Sequence, residues 1–175
     1  GVWHEKKILE VLNQNNIMKQ RVYLSTYCWI TTVICISLNV FFIFYNQPPC
    51  LVRLLLIVLL VAMSAFGLFY MPVSISADED AIYVNRSLRI KAIPMSEVRS
   101  VRLCPPTMGA IRICGSGGFF GYWGWFRERD LGKYFAYFGR SSDCFLVELK
   151  DGGKYMLGCR NPHKMVGYIN SMINQ

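Results

Sequence analysis

Residues 112–129 contain the side chains of this sequence that are best suited to binding a ligand. Six of the eight residues from Phe119 to Phe126 are aromatic, glycines precede them, and arginines follow. Tryptophan and tyrosine partition to the headgroup level of a membrane, where neighbouring arginines can bind anionic lipid phosphates. This chemistry predicts a lipid- or partner-binding surface formed by Arg112, Phe119, Phe120, Tyr122, Trp123, Trp125, Phe126, Arg127 and Arg129.

The same stretch admits other interpretations. A phosphate-binding loop is disfavoured, because no Gly-Lys-Ser/Thr ending is present and no apolar helix follows. A long β-hairpin or loop could instead fold over the domain, with glycines in its turns and aromatic side chains covering the core. Lipid binding and partner binding both require exposed aromatic side chains, and the sequence leaves that exposure open.

Side chains that could catalyse a reaction or bind a metal are sparse. Catalysis needs a nucleophile and a base, or paired carboxylates, in one pocket. His163 falls in the first turn of a predicted helix, Ser141-Ser142-Asp143 is typical of a turn, and the acids of Asp78-Glu79-Asp80 are typical of a solvated turn. The seven cysteines contain no C-x-x-C pair, which favours reduced thiols in a reducing compartment. We therefore predict a non-enzyme with no catalytic residue, cofactor or metal.

Two long apolar runs precede this region. Residues 22–52 and 54–77 contain no Asp, Glu, Lys, Arg or His, and Arg53 alone separates them. A membrane-spanning helix needs about 20 mostly apolar residues, and backbone in lipid must pair its own polar groups. We expect a two-helix transmembrane hairpin over residues 22–71, with spans at about 27–44 and 54–70.

Basic residues flank the hairpin on one side. Lys19 and Arg21 precede the first span, and Arg86, Arg89 and Lys91 follow the second. The positive-inside rule then predicts a multi-pass protein of the cell inner (plasma) membrane with both termini in the cytoplasm. The net charge of +8 suits the anionic cytoplasmic leaflet, and nucleic acid is not expected because no recognition motif accompanies the charge.

The remaining chain divides into two parts. Residues 1–21 are predicted to be a cytoplasmic segment with a short amphipathic helix, because Ile8, Leu9, Leu12 and Ile17 are apolar. Residues 72–175 are long enough for one compact domain, and their short alternating stretches predict seven strands. A closing helix is indicated by Asn161 as N-cap and Pro162 at the first helical position.

Three features of residues 72–174 carry a resemblance. They are the phrase Ile93-Pro94-Met95-Ser96-Glu97-Val98-Arg99-Ser100-Val101, the run Arg112-x-x-Gly-Ser-Gly-Gly-x-Phe-Gly-Tyr-x-Gly-x-Phe, and the closing Asn161-Pro162 helix. Together they resemble the bacterial pleckstrin-homology-like (PH-like) domain family. The resemblance implies a PH-like seven-stranded β-barrel or sandwich capped by a C-terminal α-helix. The expected fold class is therefore α+β, with a transmembrane helical hairpin followed by that domain.

The fold alone does not select a function, because PH-like barrels bind lipid headgroups, bind peptides or assemble with one another. The basic residues Arg86, Arg89 and Lys91 surround the turn that would match the lipid site of eukaryotic members, but their spacing is not diagnostic and the sequence favours a solvated basic edge. We expect a membrane-anchored, non-catalytic binding or scaffold protein that recognises a lipid or protein partner at the cytoplasmic face. The alternative is a self-associating structural subunit of a membrane complex. It is suggested by small and polar residues in the spans, namely Ser37, Asn39, Ser64, Ala65 and Gly67.

Overall fold

The structure is a computed structural model that describes residues 17–45, 49–107 and 109–174. The helix predicted within residues 1–21 falls largely on residues 1–16, outside the described part of the chain.

Two helices have the length and apolar composition of membrane spans. They are α1 (Thr26–Phe44) and α2 (Cys50–Tyr70). Ser25 caps α1, because its Oγ accepts a hydrogen bond from the Cys28 N–H at 3.2 Å. The second helix begins four residues before the predicted span, so Arg53 lies in its first turn. Most side chains of both helices are exposed, as lipid-facing residues would be.

Residues just before α1 form a strand where the sequence predicted part of a helix. Strand β1 (Met18–Arg21) pairs antiparallel with β2 (Pro72–Ala77), in a register that places Arg21 opposite Ser74. The side chains alternate with a period of two, with Lys19 exposed and Met18 packed on the core. The chain segments that flank the helical hairpin therefore lie side by side, which allows residues 18–21 to extend the sheet.

The domain contains two sheets. A four-stranded antiparallel sheet has the order β1-β2-β3-β4, and a six-stranded sheet has the order β5-β9-β10-β8-β7-β6. Strands β8 and β10 run parallel, and the other neighbours are antiparallel. The further strands are β3 (Ala81–Arg86), β4 (Ile90–Pro94), β5 (Val98–Leu103), β6 (Ile111–Gly118), β7 (Gly121–Glu128), β8 (Gly132–Phe138), β9 (Cys144–Leu149) and β10 (Lys154–Gly158).

Helix α3 (Pro162–Ile173) closes the core between the sheets. The Asn161 side chain caps it by accepting a hydrogen bond from the Lys164 N–H at 3.2 Å, as the sequence predicted. Met165 and Ile169 are fully buried against side chains of both sheets, including Ile75, Ile82, Phe145 and Leu157.

The predicted α+β class is confirmed, with two apolar helices, a sheet-rich domain and a C-terminal helix. The described part of residues 72–174 contains nine strands instead of seven. The two additional strands, β6 and β7, are the glycine–aromatic stretch itself, so the β-hairpin interpretation of that stretch describes its conformation.

Candidate membrane-facing site

The glycine–aromatic hairpin, defined here as β6, β7 and the Phe119–Phe120 turn between them, depends on two facing glycines. Gly115 and Gly124 lie opposite each other in the register, and both have positive φ. A Cβ on Gly115 would approach the Gly124 Cα to 2.7 Å, and one on Gly124 would approach the Gly115 Cα to 2.6 Å. Any side chain at either position would therefore force the two strands apart.

The turn of this hairpin docks against both apolar helices. The Phe120 N–H donates to the Thr32 Oγ1 of α1 at 3.0 Å, and the Phe120 ring occupies the space above Gly67 of α2. Phe120 has a φ of 53°, a left-handed conformation that is uncommon for an aromatic residue. The contacts with α1 and α2 hold the turn in this conformation, so the domain and the helices share a packed interface.

Trp123 adds a second contact with α2. Its indole stacks on the Tyr70 ring with centroids 5.0 Å apart and an interplanar angle of 12°. The Trp123 Nε1–H donates to the Phe119 carbonyl at 3.1 Å, which ties the indole to the turn. The aromatic side chains in these contacts are ones that the sequence predicted to bind a lipid or a partner at the surface.

The nine residues predicted to bind a lipid or partner lie in three environments. Arg112, Trp125, Arg127 and Arg129 are exposed, while Phe119, Phe120, Tyr122 and Trp123 are half-buried. Phe126 is buried and stacks on Tyr134 in the core. Among the aromatic members, Trp125 alone is exposed, at 40%, with the Lys133 ammonium 4.4 Å from a ring centroid. The structure therefore exposes the three arginines and Trp125 and turns the other aromatic side chains inward.

A buried carboxylate fixes the far end of this hairpin. Glu128 accepts hydrogen bonds from the Tyr134 hydroxyl at 2.7 Å and from the Thr107 hydroxyl at 3.0 Å. Burial, together with the hydrogen bond to Glu128, raises the pKa of Tyr134. The phenol therefore remains protonated as a donor, and the arrangement holds Thr107 against the end of β7.

Buried thiols in the domain are poor nucleophiles. Burial raises the pKa of the Cys144 thiol, and it raises the pKa of Cys159 to about 12. Both thiols stay protonated at neutral pH, and the thiolate is the reactive form. Within the described residues, no group of three or more His, Cys, Asp and Glu side chains is placed to hold a metal ion.

The turn between β3 and β4 lies beside the end of α2, a position that sequence reasoning did not assign. The Ser87 N–H donates to the Met71 carbonyl at 3.2 Å. Leu88 is 70% exposed and lines an apolar depression together with Phe66 and Phe69 of α2. Arg89 and Lys91, which follow Leu88, are exposed.

Arg86 attaches this turn to α2. Its guanidinium lies 4.9 Å from the Phe69 ring centroid and 5.4 Å from that of Tyr70, and its Nη1 donates to the Tyr137 hydroxyl at 3.5 Å. Arg86 is therefore a half-buried cation packed on aromatic rings, unlike the solvated edge that the sequence suggested for it. The aromatic pair at the end of the second apolar run is the sequence signal that could have indicated this packing.

Charge differs sharply between the two ends of strand β3. The basic turn with Arg89 and Lys91 lies beside α2, whereas the acidic turn Asp78-Glu79-Asp80 lies at the opposite end. A strand of six residues separates the two turns by about 20 Å. The sheet is consequently basic where it meets the apolar helices and acidic where it points away from them.

Comparison with known proteins gives one match. The family model described as Bacterial PH domain matches residues 73–173, a segment that begins in β2 and ends in α3. No curated protein and no solved structure matches the chain. The matched segment contains both sheets except β1 and lies wholly after the two apolar helices.

Proposed function

This chain belongs to the bacterial PH domain family, and on that premise we propose that it is a membrane-anchored, non-catalytic binding module. In this proposal, residues 22–71 span the inner (plasma) membrane twice and both termini lie in the cytoplasm. The domain of residues 72–175, extended by β1, lies at the cytoplasmic face. There it recognises anionic lipid headgroups or a partner protein presented at that surface.

The packing of the two helices supports the anchoring. Buried residues in them include Cys28 and Thr32 of α1 and Gly67 of α2, which lie toward the domain. The remaining faces are apolar and exposed over most of their length. Exposed apolar surface of this extent suits lipid, because monomeric soluble proteins rarely leave such large patches uncovered.

The charge difference along β3 is the observation that carries the proposal. The cytoplasmic leaflet is negative, and each nearby basic residue contributes about 1 kcal/mol of attraction. Arg89 and Lys91 lie at the end of the sheet that meets α2, and the acidic turn lies about 20 Å away. An anionic surface at the ends of the helices would attract the first turn and repel the second.

Exposed side chains of residues 112–129 are further candidate contacts. Arg112, Arg127 and Arg129 are solvent-accessible, and Trp125 is exposed as well. We include these four residues among the contacts proposed for lipid or partner. The half-buried aromatics serve in this proposal to hold the domain against the helices.

Self-association is the less favoured function, because two residues that suggested it have partners within the chain. The Asn39 side chain donates to the Cys35 carbonyl of its own helix at 2.8 Å. Gly67, which would allow close approach of another helix, is covered by the Phe120 ring. Neither residue is therefore free to form a contact between copies without rearrangement.

Lipid selectivity of the full chain tests the proposal. Spin-labelled phosphatidylglycerol and phosphatidylcholine would be added to the protein reconstituted in phosphatidylcholine bilayers, and the motionally restricted fraction of each measured by electron paramagnetic resonance. We expect the anionic lipid to be restricted several-fold more strongly. Arg89→Gln combined with Lys91→Gln should reduce that preference, because two exposed positive charges beside the end of α2 are removed.

A matched control removes equal charge at the other end of the domain. Arg99 and Lys150 are exposed, and the Lys150 N–H donates to the Glu97 carbonyl, near the end of β4 that is remote from α2. Arg99→Gln with Lys150→Gln should leave the preference intact. An absence of anionic preference in the unaltered protein would remove lipid recognition, and a defined dimer in the same samples would then favour the structural-subunit function.

A further inference from the structure

A groove runs between the two apolar helices and the outer edge of the glycine–aromatic hairpin. Its volume is about 430 Å³, within the range of small-molecule binding sites. One wall is formed by α2 side chains spaced at i, i+3, i+4 and i+7, namely Leu59, Ala62, Met63 and Phe66. This wall extends for about 10 Å along the helix axis.

The opposite wall carries a positive charge. Arg112 lines the groove from β6 together with Gly115 and Ser116, and Phe119 and Trp123 close it toward the turn. The Arg112 Nη1 lies 3.4 Å from the point that a Cβ of Gly117 would occupy, so the side chain extends along β6 toward the helices. The glycines leave the room that this path of the side chain requires.

Arg112 has no anionic partner among the described residues. It is exposed, and none of the described carboxylates lies within ion-pair distance of it. A guanidinium beside an apolar groove gains most from a ligand that has both an anionic group and an apolar chain, because phosphate accepts paired N–H hydrogen bonds. The groove opens onto helix faces that the proposed function places in lipid.

We propose that this groove binds one anionic phospholipid, with its phosphate on Arg112 and one acyl chain along the Leu59–Phe66 face of α2. The proposal rests on the proposed function in one respect, namely that α1 and α2 span a membrane. It differs in naming a single site with one occupant, separate from the β3–β4 turn. The bound lipid would fill the gap between the hairpin and the helices beside the Trp123–Tyr70 stack.

Quenching of Trp123 by brominated lipid tests this site in the full chain. A variant with Trp3, Trp29 and Trp125 each changed to Phe keeps Trp123 as its sole tryptophan. In detergent, phosphatidylglycerol brominated on its acyl chains should quench Trp123 with saturation near one lipid per protein. Brominated phosphatidylcholine should require about tenfold more lipid, because its choline cation offsets the negative charge of the phosphate that Arg112 would bind.

Two variants separate the headgroup from the chain. Arg112→Gln should make the two lipids equally weak, whereas Arg99→Gln, at an exposed arginine of β5 that does not line the groove, should keep the preference. Ala62→Phe should fill the groove and abolish saturable quenching by both lipids. Val61→Phe, at an exposed position of α2 outside the groove, should leave quenching unchanged.

Unaltered phosphatidylglycerol preference in Arg112→Gln, or normal quenching in Ala62→Phe, would overturn the groove site. The emission maximum of Trp123 without lipid reports whether its stack on Tyr70 survives in each variant, so misfolding cannot imitate either result. Loss of the groove site would leave the proposed function standing if Arg89→Gln with Lys91→Gln still reduced anionic selectivity.

Discussion

Substitution of Gly67 by alanine tests the packing between the domain and the helices. A Cβ at this position would overlap Cδ2 of Phe120 and lie 3.0 Å from Cε1 of Phe119. Overpacking of this kind costs about 1–3 kcal/mol. Helix α2 is helical whether or not the hairpin is docked, so alanine's higher helix propensity does not offset that cost. We expect the ratio of docked to undocked hairpin to fall by about 5-fold to 150-fold.

Hydrogen exchange of the Phe120 amide measures this docking, because its N–H is bonded to the Thr32 hydroxyl only when the turn is in place. In the Gly67→Ala protein, amide hydrogen exchange in the peptide that contains Phe120 should accelerate by the same factor. Mass spectrometry of the protein in detergent or nanodiscs measures this rate. Gly167→Ala in α3 is the matched control, since nothing lies within 4 Å of its added Cβ. Gly167→Ala should leave the protection of the Phe120 amide unchanged and should stabilise α3 by up to about 1 kcal/mol. If Gly67→Ala also left that protection unchanged, the packing argument would be refuted.

Three further predictions concern the domain core and its thiols. Tyr134→Phe removes a hydrogen-bond donor from the buried Glu128 carboxylate and should lower the free energy of unfolding by about 1.5–3 kcal/mol. Guanidinium titration of the full chain in detergent measures this, and an unchanged midpoint would contradict the stabilising role of the Tyr134–Glu128 hydrogen bond. Burial raises the pKa of Cys159 from its ordinary value of 9.0 to about 12, so the folded state retains a proton that the unfolded chain releases. The free energy of unfolding should therefore fall as the pH rises from about 9 to 12, and Cys159→Ala should flatten that decline. Finally, a maleimide reagent at neutral pH should modify the exposed Cys114 in the folded protein and Cys159 only after unfolding, as mapped by mass spectrometry; rapid modification of Cys159 in the folded protein would contradict its burial.

Helices were the part of the fold most directly predictable from sequence. The two uncharged runs predicted α1 and α2, because twenty apolar residues in succession have few other stable conformations. Helix α3 was predicted by its own N-cap, Asn161 followed by Pro162, and by apolar residues at helical spacing. In each case the signal is local, so one stretch of sequence suffices to recognise the element.

Strand β1 could not be predicted in this way. It contains four residues and its pairing partner, β2, lies more than fifty residues later. The pairing arises because the helical hairpin returns the chain to its starting point, and propensity within residues 18–21 carries no information about that return. The result also affects experiments, since a fragment beginning at residue 72 would lack β1 and leave the edge of β2 unpaired.

The candidate site was predictable in composition but not in orientation. Glycines and aromatics marked residues 112–129, yet the pleat places adjacent residues on opposite faces, so Trp125 is exposed while Phe126 is buried. Which face is inward depends on the register between β7 and β8, which is fixed by pairings such as Trp125 with Phe135. The position of the β3–β4 turn beside α2 likewise depends on a contact between segments, the hydrogen bond from Ser87 to Met71.

The depth of the two turns that flank β3 tests the central claim most directly. In a protein with Cys50 and Cys114 changed to Ser, a bimane label would be placed at Leu88→Cys or at Asp80→Cys, and quenching by headgroup-nitroxide lipids measured in bilayers that contain anionic lipid. A basic end held at the membrane predicts quenching several-fold stronger at position 88 than at position 80. Equal quenching at the two positions, or stronger quenching at position 80, would contradict the proposed orientation of the domain and the lipid-facing function that depends on it.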